Sequence, residues 1–191
     1  MGIATFLMAK ENSQKERVLV EKAKNNPDAF SELYDLYFPK IFHYVSWRTG
    51  NKSDTENLVS DIFTKVLNKI NSFKWQKGAT FSSWLFRIAY NTLTDYYRAK
   101  RKRSYVNIDD LPEIEADEIL PDETHDRQQL FKKLYQMIQE LPDRQAEIIT
   151  MRFFTGMKNK EIAKVLEIKE KSVASSLCRG LKTLHNSFNK Q

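Results

Sequence analysis

The segment Phe81–Arg103 gathers six aromatic residues and six cations around a single acid, Asp95. Aromatic faces accept unpaired bases by stacking, and Lys and Arg neutralise the phosphates that join those bases. The combination describes a surface for exposed bases, and one able to hold a duplex open. Trp84, Leu85, Ile88, Ala89 and Thr92 recur at three- and four-residue steps and predict the buried side of a helix. Arg87, Tyr90, Asn91, Tyr97 and Arg98 are left facing solvent or a ligand, followed by the basic run Lys100, Arg101, Lys102 and Arg103. The competing reading of an aromatic helix is plain core packing.

A second set lies near the other end of the chain. Lys160–His185 has the form of a helix-turn-helix. Ile162, Ala163, Val165 and Leu166 predict the inner face of a first helix. Glu167-Ile168-Lys169 is a tight turn, and Ser172 is positioned to cap the second helix. Val173, Leu177, Leu181 and Leu184 form the predicted buried stripe of that second helix. Lys171, Ser172, Ser175, Ser176, Arg179 and Lys182 then face outward. Small hydroxyl and basic side chains on one helix face suit a major groove, where they meet phosphates and base edges. Gly180 sits inside this helix, which calls for close packing or close DNA approach to offset its cost of about 1 kcal/mol.

The elements that must position these residues are helical. Apolar residues repeat at helical spacing in long stretches, no alternating strand pattern appears, and glycine and proline number five each. Asn26-Pro27-Asp28 starts the first clear helix, and Pro39 is expected to kink or divide it. Ser53 or Asp54 is expected to cap a helix from about Thr55 to Ile70. A loop from Asn71 to Thr80 precedes the aromatic segment. Beyond it, Asp109–Asp126 carries nine acids and no Lys or Arg, so it repels itself and reads as a flexible tether. Helix resumes near Arg127, and Pro142 starts a further one that Gly156 ends.

The predicted fold is therefore all-α, with two small helical domains joined by an acidic flexible linker, the second a helix-turn-helix domain. Residues 1–26 read as a flexible N-terminal segment, 27–104 as the first domain, 105–126 as the linker and 127–191 as the second domain. The net charge of +6 and pI near 9.2 favour an anionic partner such as nucleic acid. Cys178 is the only cysteine, so no intramolecular disulfide forms. His43, His125 and His185 have no metal-ligand spacing, and no catalytic constellation or cofactor motif is visible. No apolar run is long enough to span a membrane, and Gly2–Met8 is too short for a signal sequence. A cytoplasmic location is expected.

The aromatic segment resembles the DNA-melting and minus-ten-reading part of bacterial RNA polymerase sigma factors of the sigma-70 family, extracytoplasmic-function (ECF) group. Trp84, Leu85, Arg87, Ile88, Ala89, Asn91, Asp95 and Arg98 match that pattern in order. The helix-turn-helix resembles the minus-thirty-five-reading domain of the same group. The resemblance implies a non-enzymatic promoter-specificity subunit that binds core RNA polymerase through its beta-prime and beta subunits, reads promoter DNA and needs no cofactor. It implies docking through Leu58, Asp61 and Phe63, a pocket for a flipped minus-ten base formed by Asn91, Phe73 and the loop Lys74–Thr80, and upstream contacts through Arg179. An anti-sigma factor is a further partner known for the group. The sequence departs from the pattern at Asn57, where an acid is common, at Ala174 and Ser176, where arginine is frequent, and at Glu167, which replaces a turn glycine and implies a left-handed residue. The acidic linker reads as a tether or, by resemblance, as an RNA-mimicking polyanion. Two rival readings are a DNA-binding regulator without polymerase binding and an enzyme acting on single-stranded nucleic acid.

Overall fold

Why the chain folds as it does is clearest from its helix starts. A computed structural model describes residues 14–76, 80–104 and 125–189, and the acidic linker expected from Asp109 to Asp126 lies almost wholly outside them. Helix α1 covers residues 14–23. Helix α2 spans Pro27–Thr49; the Asn26 side chain accepts from the Asp28 and Ala29 N–H groups, and Pro27 occupies the first turn. Helix α3 spans Lys52–Lys69 and ends in the short 3-10 turn Ile70–Ser72. Helix α4 spans Phe81–Ser104. After the linker come α5 (His125–Gln139), α6 (Asp143–Phe154), α7 (Asn159–Val165) and α8 (Glu170–Phe188). The described residues are all-α.

Several boundaries differ from those that the spacing predicts. Residues 14–23, expected as flexible, are helical, because Val20 and Ala23 are buried in the core. Pro39 does not divide α2, which continues on both sides of it. A proline removes one backbone hydrogen bond, and Leu33, Tyr37, Ile41 and Tyr44, buried on one side of α2, hold the helix together across it. Asn51, rather than Ser53 or Asp54, caps α3 by accepting from Asp54 N–H. Ser172 lies in the first turn of α8, and the cap position is Lys169, without a side-chain cap.

Helices α2, α3 and α4 pack on one another, as do α6, α7 and α8. The two groups also meet, α6 against α2 and α7 against α4. One continuous apolar core therefore runs from Val20, Ile41, Ile62 and Leu85 through Ile148, Met151 and Ile162 to Val173. Polar groups cross the same boundary. Glu147 is buried; its carboxylate accepts from Tyr44 Oη–H and lies 3.1 Å from Arg48 Nε, an ion pair without a linear hydrogen bond. Burial pushes the Glu147 carboxyl up despite the opposing pull of Arg48 and Tyr44. Trp47 stacks on Phe154 at 3.9 Å between ring centres, and Gln139 donates to the Trp47 carbonyl. Gly50 ends α2 with φ 63°, and its open face is covered by the Tyr135 hydroxyl.

Candidate nucleic-acid interface

Helix α4 is fixed from both ends and along its length. Phe81, Leu85, Phe86, Ala89, Thr92 and Leu93 are buried. At its start, Thr80 and Ser83 exchange hydrogen bonds, so the loop enters the helix in a defined direction. Asn91, Asp95, Arg98 and Arg101 are exposed. Arg87, Tyr90 and Tyr97, expected to face outward, are instead half-buried. Arg87 pairs with Glu167 in the turn between α7 and α8, Tyr90 packs against the core, and Tyr97 donates to the Arg48 carbonyl. Burial raises the Tyr97 hydroxyl well above the ordinary phenol range. Lys100 lies 3.0 Å from Tyr96 Oη and 3.8 Å from Asp54, so the start of the basic run is braced on α3. The side chains of Lys102 and Arg103 lie outside those described. A cleft of about 980 Å³ opens beside this helix, with Arg98, Lys100, Arg101 and Arg144 on its walls.

Phe73 follows the 3-10 turn at the start of the loop before α4. Expected in a base pocket, it is only 4% exposed and touches Phe81, Trp75 and Trp84 edge-on or tilted. It supports the loop from beneath. Trp75, within the loop Lys74–Thr80 that the resemblance assigns to the pocket, is the half-exposed ring beside it. Helix α1 supplies its partners, as Glu21 accepts from the indole N–H at 2.7 Å and Arg17 lies over the ring.

In the second element, Lys171, Ser172, Ser175, Arg179 and Lys182 line the exposed side of α8. Ser176, expected among them, is only 5% exposed, while Leu181, expected inside, is exposed. The reason is Gly180. A Cβ there would stand 2.7 Å from Ile149 Cδ1, so α6 approaches α8 along its small residues and the seam turns toward Ser176. The turn before α8 holds Glu167 at φ 54°, the only non-glycine residue with positive φ among those described, as its place at a turn-glycine position implied. Nearby, the Glu161 carboxylate accepts from Lys158 N–H at the start of α7 and from Thr80 Oγ1 across the boundary.

On α3, Leu58 and Phe63, expected as docking residues, are buried, whereas Asp61 is exposed. Phe63 packs on Tyr34 and Phe38 and forms the floor of a groove of about 350 Å³ between α2 and α3. The exposed lip of that groove is Glu56, Ser60, Thr64 and Leu67, and Leu67 is 54% exposed. A second large apolar side chain left open on α2 is Leu36.

Comparison with known proteins matches this architecture in both halves. The sigma-70 region 2 family model matches residues 33–103, and the sigma-70 region 4 model matches residues 131–184. The ECF RNA polymerase sigma factor BldN of Streptomyces coelicolor is 30% identical over 177 residues, covering 92% of this chain and 67% of that protein. The chain belongs to the ECF group of the sigma-70 family.

The ECF sigma factor SigW of Bacillus subtilis is 28% identical over 182 residues, covering 91% of this chain and 96% of SigW. The solved structure of CnrH in complex with the cytosolic domain of CnrY shares the fold, with a TM-score of 0.71 and 21% identity over 92% of this chain and 98% of that one. This sigma factor is an alternative sigma factor directing transcription initiation, and sigma factors are promoter-specificity subunits. The rival reading as a regulator without polymerase binding is not favoured. None of the described helices is long and apolar enough to cross a membrane, and no described cluster of His, Cys, Asp and Glu has metal-holding geometry.

Proposed function

We propose a division of labour within this sigma factor. Residues 27–104 dock core polymerase and read and open the minus-ten element; residues 127–191 read the minus-thirty-five element; residues 105–126 tether the two. The observation that supports it best is the contrast on the exposed helix faces. Helix α8 presents Lys171, Ser172, Ser175, Arg179 and Lys182 to solvent while its other side packs on α6 and α7. Helix α4 presents Asn91, Arg98 and Arg101 beside half-buried tyrosines. The first set suits base edges and phosphates of a closed duplex, the second an extruded base and a single strand. Polymerase docking falls to Asp61 and the groove lip at Ser60, Thr64 and Leu67, because Leu58 and Phe63 act through the groove floor and the core. The chain acts in the cytoplasm, as a subunit rather than an enzyme, with core RNA polymerase, promoter DNA and an anti-sigma factor as partners.

Promoter engagement requires the two halves to part. Elements named for positions thirty-five and ten lie about 25 base pairs apart, roughly 85 Å of duplex at ~3.4 Å per pair. A compact chain of 191 residues has a radius of gyration of about 16 Å. Helix α7 must therefore leave α4, which frees Arg87 from Glu167. Residues 105–124, fully extended, reach about 70 Å.

Run-off transcription with core enzyme and a panel of promoters tests the reading. Asp61→Arg is expected to abolish core binding with an unchanged circular dichroism spectrum. Unchanged core affinity in that variant places the docking surface elsewhere.

A further inference from the structure

We infer that α1 is a positioning element for promoter base selection, acting through Trp75. The inference rests on the proposed reading of α4 and its preceding loop as the minus-ten base site. One side of α1 faces the core, where Val20 and Ala23 are buried and Glu16 accepts from Tyr37 Oη–H. The neighbouring side of α1 and the turn just after it place Arg17, Glu21 and Lys24 at i, i+4 and i+7. These three grip the start of the loop. Glu21 Oε1 accepts from Trp75 Nε1 at 2.7 Å, Arg17 lies 5.4 Å over the indole, and Lys24 Nζ donates to the Phe73 carbonyl at 3.2 Å. Lys24 also pairs with Glu21 at 2.9 Å, and these bonds hold the Glu21 carboxyl below the usual carboxylate range. Phe73 meets the indole edge-on at 5.0 Å and is itself locked against Phe81 and Trp84.

Trp75 is therefore held on three sides yet only half-buried. A ring fixed this way meets a flipped base without first surrendering its own rotamer freedom, and an unfixed one does not. The grip is also independent of domain opening. The far end of the loop is tied to α7 by Thr80 and Glu161, a bond that breaks when α7 leaves, whereas the α1 contacts lie within the first half and persist.

The test uses the full chain with core polymerase and pre-melted templates that vary the base at each minus-ten position. Glu21→Ala is expected to lose about three- to tenfold in base discrimination at the position that Asn91→Ala also alters, the range expected for releasing one ordered side chain. Glu21→Gln, whose amide oxygen still accepts from the indole, is expected to restore it. Trp75→Phe should reproduce the loss, and the double variant should be no worse than either single one. Upstream duplex binding serves as the control and is expected to stay constant. If Glu21→Ala lowers thermal stability or overall affinity but leaves base preference intact while Asn91→Ala shifts it, α1 is a structural helix only and the inference is wrong. If neither variant shifts preference, the base-site reading fails and takes the inference with it.

Discussion

Helices α4 and α8 carry comparable basic and polar chemistry, but α4 has already committed most of its groups to other parts of the chain. Arg87 is paired with Glu167, Tyr96 donates to Asp54 at 2.5 Å, Tyr97 donates to the Arg48 carbonyl, and Lys100 lies near Asp54. On α8, Arg179 donates to the Ser175 carbonyl of its own helix, and among the described residues no ion pair joins α8 to another element. A helix that reads a closed duplex needs an open, rigid face. A helix that handles an opened strand carries aromatic surface, and here the hydroxyls of Tyr96 and Tyr97 are tied to α3 and α2. The difference teaches that α2 and α3 fix most of what α4 offers, and that the boundary between the halves adds a hold on Arg87 alone among these groups.

The largest expected effect breaks that boundary. Glu147→Ala leaves Arg48 buried without its partner, a change that typically costs about 3–5 kcal/mol. The urea midpoint should fall, and small-angle scattering should show a larger radius of gyration as the halves separate to solvate Arg48. A variant that keeps both values would mean that the ion pair does not hold the halves together.

Arg179→Ala addresses the open face. Duplex binding at the upstream element is expected to weaken by about 1–3 kcal/mol if the contact is bidentate to a base. Transcription from a template already opened at the start site should hardly change. Equal losses on both templates would point to a core-binding or folding defect. Replacing Lys100 and Arg101 should act without regard to sequence. The slope of log affinity against log salt should shrink by about 0.7 for each single-strand phosphate, or about 0.9 for each duplex phosphate, that is no longer neutralised. A sequence-selective loss would reassign these residues to base readout.

Two smaller effects sharpen the comparison. Glu167→Gly relieves a left-handed residue worth about 1 kcal/mol and removes an exposed ion pair worth about 0–1 kcal/mol. The melting temperature should hold or rise slightly while Arg87 becomes free; a clear drop would show that the Arg87 pair matters more than the backbone strain. The pH dependence is the finest probe. Burial raises the folded-state pKa of Glu147 above its ordinary 4.5, so the native state holds this proton more tightly than the unfolded chain. Its contribution is fully present below about pH 4.5 and is lost as pH rises through the folded value. The stability of the native chain relative to Glu147→Gln should therefore decline from about pH 4.5 upward. A flat difference would remove burial as the dominant influence on this carboxyl.

Much of the helical frame was legible because apolar spacing is a local signal. The α2, α3, α4 and α6 runs follow from residues within a turn or two of one another, whereas the left-handed Glu167 came from the resemblance and the choice between packing and DNA approach at Gly180 is made by Ile149 of α6. The outward set of α8 was legible except at Ser176, where the seam turned by part of a helix face. The periodicity of leucines marks which side is apolar, but the closest approach of α6 is set by the small residues Ser176 and Gly180.

The sequence by itself determined the helix content, the order of the two elements and the residue types that meet nucleic acid. These depend on neighbours three or four positions apart and on net charge. Tertiary structure alone decided which of those residues are free. Glu21 and Trp75, Arg48 and Glu147, and Arg87 and Glu167 are each distant in the chain, and their pairing depends on how helices pack rather than on local spacing. Phe73 and Phe63 show the same limit. An aromatic side chain carries equal apolar surface whether it stacks on a base or fills a core, and only the neighbours that cover it settle which.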